Sequence, residues 1–197
     1  ANLTLRRHGA PLGLSSGFTI LDRGDSEDAI GLLRARLGLD KKDRRFPRKQ
    51  TIGEVFSAVV NKHRPLAALL DEAYPHLAEH ADDLLALQDA YATYKAERQL
   101  LDYDDLLVKL HALLAAHDDV RARLGQHYRY VMVDEYQDTN PLQAQIVHLL
   151  GSTHGNVMAV GDDAQSIYAF RGADFRNIME FPTLFPAAQL IRLEQNY

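Results

Sequence analysis

The chain has 197 residues, enough for one medium-sized domain or two small ones, and 46% hydrophobic and 25% charged content is ordinary for a soluble globular protein. The absence of cysteine excludes a disulfide framework and cysteine-ligated zinc, and the net charge of -5 argues against a protein that simply coats nucleic acid. No apolar run reaches the roughly 20 residues that span a bilayer, and the N-terminus lacks the apolar core of a secretory signal, so a cytoplasmic chain with no membrane partner is expected.

In chain order, the first two-thirds read as helices separated by clear stops. Asp25 or Ser26 is placed to cap a helix carrying Ile30, Leu33 and Leu37, which Gly38 ends. A basic stretch overlaps it: Arg34, Arg36, Lys41, Lys42, Arg44, Arg45, Arg48 and Lys49 are opposed only by Asp40 and Asp43. Such a patch can meet phosphates despite an acidic total, or it can be a solvated charged loop. Thr51 with Glu54 is a capping-box pattern for a second helix through Val55, Val59 and Val60. Pro65 and Pro75 sit where first-turn prolines belong, so two more helices are expected. The second is long and carries Leu77, Leu84, Leu87, Tyr91 and Tyr94. Asp102 then caps a segment with Leu106, Leu107, Leu110 and Leu114.

The pattern changes at Tyr130. Residues 130–133 form a short apolar, β-branched run, as in a strand buried on both faces. Asn140 and Pro141 start a helix through Ile146 and Leu150, which Gly151 ends, and residues 157–160 are a second buried-strand candidate. Strand, helix and strand within about 30 residues predict a βαβ unit with parallel strands. Residues 189–193 are a third strand candidate. The expectation is a helical region to about residue 100, followed by an α/β region.

In an open parallel sheet, ligands bind beyond the carboxyl ends of the strands. Asp134 and Glu135 fall at one such end, and Gly161, Asp162 and Asp163 at the next. An aspartate after a buried strand can hold Mg²⁺ on a nucleotide, and the following glutamate can deprotonate the attacking water. Carboxylates can also simply end a strand and cap the next helix. His76 and His80 are spaced i,i+4, but no third metal ligand accompanies them.

The longer string "VDEYQDTN" resembles motif II of superfamily 1 helicases of the UvrD/Rep/PcrA type. "VGDDAQSIYAFRGAD", residues 160–174, resembles their motif III, and "LEQNY" the opening of motif IV. "LRRHG" and "LDYDDLL" are similar to the segments that flank the family's inserted helical domain. The resemblance implies an α/β fold: a partial RecA-like P-loop NTPase parallel sheet, the C-terminal half of a first motor domain, with an inserted all-helical domain. Residues 1–12 would end a motor-domain helix, residues 13–100 would form the insertion, and residues 101–197 would carry motifs II, III and the start of IV.

The same resemblance implies roles residue by residue. Asp134 would bind Mg²⁺ and Glu135 would be the catalytic base. Gln165 would sense the γ-phosphate of ATP and couple its hydrolysis to movement. Tyr168 and Phe170 would stack on single-stranded DNA, where base–aromatic stacking tolerates any sequence. Phe170 stands where Trp is common in the family, and offers less stacking area. Arg171 would bridge the nucleotide and DNA sides, and Tyr197 would stack on the nucleotide base. Arg44, Arg45, Arg48 and Lys49 would touch duplex DNA ahead of a fork.

A loop of the form G-x-x-x-x-G-K-[ST] holds nucleotide phosphates with backbone amides and a lysine. No glycine of this chain is followed by lysine. The resemblance implies that this loop precedes the segment and that a second motor domain follows it. The expectation is therefore part of an ATP-dependent, 3′→5′ DNA helicase of a DNA-repair type, inactive as 197 residues alone. Its sheet would be open to strand-edge self-association. The competing expectation is a non-catalytic DNA- or protein-binding module on a remnant scaffold.

Overall fold

The computed structural model describes residues 1–42, 46–162 and 176–192. Helix α1 (Asn2–His8) leads through a short 3-10 turn to a two-residue strand, β1 (Thr19–Ile20). Helix α2 (Arg23–Arg36) follows at once, capped by Asp22 rather than by Asp25 or Ser26. The Asp22 carboxylate accepts the Asp25 N–H at 2.8 Å, and the Asp25 carboxylate reaches back to the Asp22 N–H at 3.4 Å. An extended residue leaving a strand suits an N-cap, so the cap falls three residues before Asp25 and four before Ser26. Gly38, at φ 71°, turns the chain after it into α3 (Leu39–Lys42), as a left-handed glycine does at a helix end.

Helix α4 (Lys49–Asn61) has Arg48 at its N-cap and no side-chain cap, so the Thr51–Glu54 capping box does not form. Glu54 is drawn instead to Arg23 of α2, at 2.9 Å. Helix α5 (Leu66–Ala73) begins directly after Pro65. Pro75 opens a 3-10 segment that ends at His80, so Leu77 precedes α6 (Ala81–Glu97) rather than lying in one long helix. Ile30, Leu33, Ile52, Val55, Phe56, Leu69, Leu70, Leu84 and Leu87 form one apolar core among α2, α4, α5 and α6. Each such buried side chain contributes about 1.5–3 kcal/mol relative to exposure.

After α6 the chain returns to β1 through β2 (Leu100–Leu101), which pairs with it in parallel register, Thr19 opposite Leu100. This two-strand clip was not anticipated from sequence. Helix α7 (Tyr103–Ala116) is capped by Asp102 as expected, with Asp105 completing a capping box. Helix α8 (Asp118–His127) was not anticipated. Leu5, Phe18, Leu101, Leu113, Leu114, Leu124 and Ile146 form a second core, around α7.

Strand β3 (Val131–Val133), α9 (Pro141–Gly151) and β4 (Val157–Ala159) make the predicted βαβ unit, its strands parallel with Met132 opposite Met158. Asn140 caps α9 and Gln143 completes the box. The strands are not buried on both faces. Val131, Val133, Val157 and Ala159 pack against Tyr136, Ala144 and Val147, while Met132 is 71% and Met158 51% exposed. Among the described residues α9 and α10 (Arg176–Leu184) cover one face only. Residues 189–192 form no strand, and Leu190 and Ile191 are exposed, because no described strand offers their backbone a partner.

Candidate functional site

β3 delivers Asp134 and Glu135 to its carboxyl end, and both side chains are exposed. Asp134 Oδ1 accepts the Glu135 N–H at 3.0 Å. Glu135 has φ 50°, a left-handed conformation that costs a non-glycine residue about 1 kcal/mol. His63 and Gln99 share it, but they follow helices, where such residues are ordinary. Glu135 is the described instance that follows a strand.

The next residues lock this turn. Gln137, 1% exposed, donates from Nε2 to Glu135 Oε2 at 2.6 Å, while its Oε1 accepts the Asp162 N–H at 3.0 Å. A buried amide thus joins the catalytic-base candidate to the end of the second strand. The Tyr136 N–H donates to the Val160 carbonyl at 2.9 Å, extending the link between the two strand ends. Gly161 is needed here, because a Cβ at its position would lie 2.6 Å from Gln137 Oε1. Tyr136 is fully buried against Phe181, and burial holds its phenol above the usual range. The Asn177 side chain donates to the Thr139 carbonyl at 2.8 Å, fastening the turn to α10.

A third attachment leaves the sheet. Asn140 Oδ1 accepts the Gln143 N–H, so its Nδ2 is free to donate to Asn61 Oδ1 at 2.7 Å. Asn61, the last residue of α4, in turn donates to Asp104 Oδ1 at 3.0 Å and to Ser57. Burial holds the Asp104 carboxyl above its ordinary range. Nearby, Lys95 of α6 is buried between Asp102 and Asp105, at 2.6 and 2.5 Å. Burial works to raise Asp102, but the Lys95 charge and hydrogen bond hold it below the ordinary range. Burial and the Asp102 charge hold Asp105 above it.

Of the residues predicted from sequence, the structure brings Asp134 and Glu135 together at one strand end. Arg48 is exposed at the start of α4, some distance along that helix from Asn61, and Lys49 is ion-paired with Asp28. Gln165, Tyr168, Phe170, Arg171, Tyr197, Arg44 and Arg45 lie outside the described residues. Gln137 and Asn61 were not singled out, and Asn140 was expected only as the start of a helix. Gln137 and Asn140 stand inside the quoted motif string, where two amides beside carboxylates were the available signal.

Among the described residues no cluster of three or more His, Cys, Asp or Glu could hold a metal by itself. Asp134 therefore offers a single carboxylate. That fits Mg²⁺, which usually takes one or two carboxylates and completes its shell with waters and phosphate oxygens.

A parallel βαβ unit with an Asp-Glu pair at its strand end, joined to a helical region, defines a mixed α/β scaffold that is mostly helical. The model of the UvrD/REP helicase N-terminal domain matches residues 1–186, and the chain belongs to that family. It is 35% identical to the ATP-dependent DNA helicase PcrA of Leuconostoc citreum, over 98% of this chain and 25% of that protein. It is 37% identical to the ATP-dependent DNA helicase UvrD1 of Mycobacterium bovis, over 94% of this chain and 24% of the relative. PcrA of Staphylococcus aureus is 34% identical, over 98% of this chain and 26% of its own length. The chain thus spans about a quarter of the curated relatives it matches. No described helix is long and apolar enough to cross a membrane.

Proposed function

We propose that this chain is part of an ATP-dependent DNA helicase motor that couples ATP hydrolysis to 3′→5′ movement on single-stranded DNA and to duplex unwinding. The observation that carries the reading is the Asp134–Glu135 turn: two exposed carboxylates at a parallel strand end, the second held by a buried glutamine. In this reading residues 101–197, with 1–12, belong to a RecA-like motor domain, and residues 13–100 are its helical insertion. The separate apolar cores support two units that meet at the β1–β2 clip, with Phe18, inside residues 13–100, packing in the second core.

Asp134 would hold Mg²⁺ with ATP, and the ion when bound neutralises charge on the phosphate oxygens. Glu135 takes the proton of the attacking water. Gln137 occupies Oε2 with its N–H, so the other carboxylate oxygen, Oε1, is left to accept that proton. Gln165 and Arg171 act on the γ-phosphate side, Tyr197 stacks on the base, and Tyr168, Phe170 and Arg171 meet single-stranded DNA. Arg44, Arg45, Arg48 and Lys49 contact the duplex. The position of Arg48, exposed at the N-cap of α4, supports this last role, because the helix dipole favours phosphate there.

The reading also holds that the protein acts in the cytoplasm and that these 197 residues alone bind ATP poorly and do not unwind DNA. It further holds that the exposed Met132–Met158 face self-associates when the segment is isolated. Stoichiometric Mg-ATP binding by the isolated segment in calorimetry would contradict the poor ATP binding, and a strictly monomeric segment in sedimentation would contradict the self-association. The central test is Glu135→Gln in the full-length gene product. DNA-stimulated ATP hydrolysis should fall by about 10²–10⁴-fold with ATP binding retained. Unchanged turnover refutes the assignment.

A further inference from the structure

We propose that Asn61 is a positioning residue through which DNA held at the far end of α4 controls the Glu135 turn. The proposal rests on the helicase reading above and adds to it a route between its two ligands. Helix α4 begins at the exposed Arg48 end and finishes at Asn61, 13 residues and roughly 20 Å later. Its buried face, Ile52, Val55 and Phe56, fixes it in the first core as a rigid rod.

The amide chemistry of the relay allows one orientation only. Asn140 Oδ1 is committed to the Gln143 N–H, so Nδ2 faces Asn61. Asn61 must then present Oδ1 to Asn140 and Nδ2 to acceptors, and it meets the Asp104 carboxylate and the Ser57 carbonyl and hydroxyl. Asn140 is 5% exposed, so losing this partner would leave its N–H groups without water. The turn is also fastened to β4 through Gln137 and to α10 through Asn177, both near in the α/β part. Among the described residues, Asn140–Asn61 is the one hydrogen bond from residues 134–140 to α4. A displacement of α4 therefore reaches the cap of α9, and with it the turn that ends at that cap.

The test compares ATP hydrolysis by the full-length gene product with and without forked duplex DNA. Asn61→Ala should lower the ratio of the two rates by about five-fold or more, the scale of a coupling free energy of 1 kcal/mol upward. A merely structural role would lower both rates together and leave the ratio in place, and that result overturns the proposal. Asn61→Asp sets a carboxylate against Asp104 and should also lose stimulation. Combining Asn61→Asp with Asp104→Asn reverses the donor and acceptor of that pair while leaving the Ser57 carbonyl against an oxygen, and should restore part of the ratio lost in Asn61→Asp. A ratio no higher in this exchanged pair than in Asn61→Asp alone overturns the proposal, even if Asn61→Ala fails to fold. Absence of any ATP hydrolysis in the unmutated protein refutes the helicase reading itself, which separates the two failures.

Discussion

Gln137 and Glu135 are joined by a 2.6 Å hydrogen bond in which a buried amide holds an exposed carboxylate. The amide has a second duty, accepting the Asp162 N–H. Gln137→Ala removes both contacts. It should cost about 1–3 kcal/mol of stability in urea unfolding, since polar groups around a buried site lose their partner. In the full-length protein kcat should fall by up to about 100-fold, as expected when a catalytic group loses its fixed direction. Full turnover in this variant would mean that Glu135 does not depend on the amide.

Buried Lys95 sits between two partly buried carboxylates, Asp102 and Asp105. Lys95→Met should destabilise the fold by about 1–3 kcal/mol at neutral pH, because it leaves two partly buried acids unpaired. The Asp102 carboxyl, held low by Lys95, contributes stability above its ordinary value of 3.8 and loses it as pH falls through the lowered folded value. The gap between the variant and the parent should therefore narrow in acid. Unfolding midpoints measured from neutral pH down to the carboxylate range check this.

Asp104 behaves in the opposite sense. Burial raises its folded pKa above 3.8, so its neutral form favours the fold, and that contribution is lost as pH rises through the raised value. Asp104→Asn carries no such loss and keeps an acceptor for Asn61. Its thermal midpoint at pH 7 should equal or exceed that of the parent, with the advantage disappearing in acid. A lower midpoint at pH 7 would show that the Asp104 charge stabilises the fold.

Much of the α/β part was legible in the sequence because it is local. Asn140, Pro141 and the apolar runs on either side fix a cap, a helix and two strands within about 30 residues. The Asp134–Glu135 pair was found for the same reason: its position follows from one strand end. The β1–β2 clip was invisible, since two-residue strands have no period to detect and their partners lie 81 positions apart. The cap of α2 was missed because Asp22 and Asp25 form an all-aspartate box rather than the Ser/Thr–Glu pattern. Met132 was misplaced because an apolar residue in a strand reads as buried whether or not anything covers it. Asn61 could not be found, because its meaning lies in a contact across 79 residues.

Arg48 offers the most direct test of the duplex contact, since it is exposed at the N-cap of α4. Arg48→Ala in the full-length protein should weaken forked-DNA binding at any sequence. It should also reduce the slope of log affinity against log salt by about 1, as loss of one phosphate contact does. Lys49→Ala should have a smaller effect, because Asp28 already engages that ammonium. An unchanged salt slope in Arg48→Ala would remove this end of α4 from the DNA surface.

The parallel β1–β2 pairing sets the outgoing chain at Ile20 and the incoming chain at Leu100 on adjacent strands, about 4.8 Å apart. Geometrically, everything between them is a loop with nearly closed ends. Such a loop can change in length or content without moving Phe18 or Leu101 out of the second core. It also sets an order of assembly. The helices of residues 21–99 can condense from near neighbours, whereas the clip must wait for ends some 80 residues apart to meet, so it should be among the last contacts to form and the first to open.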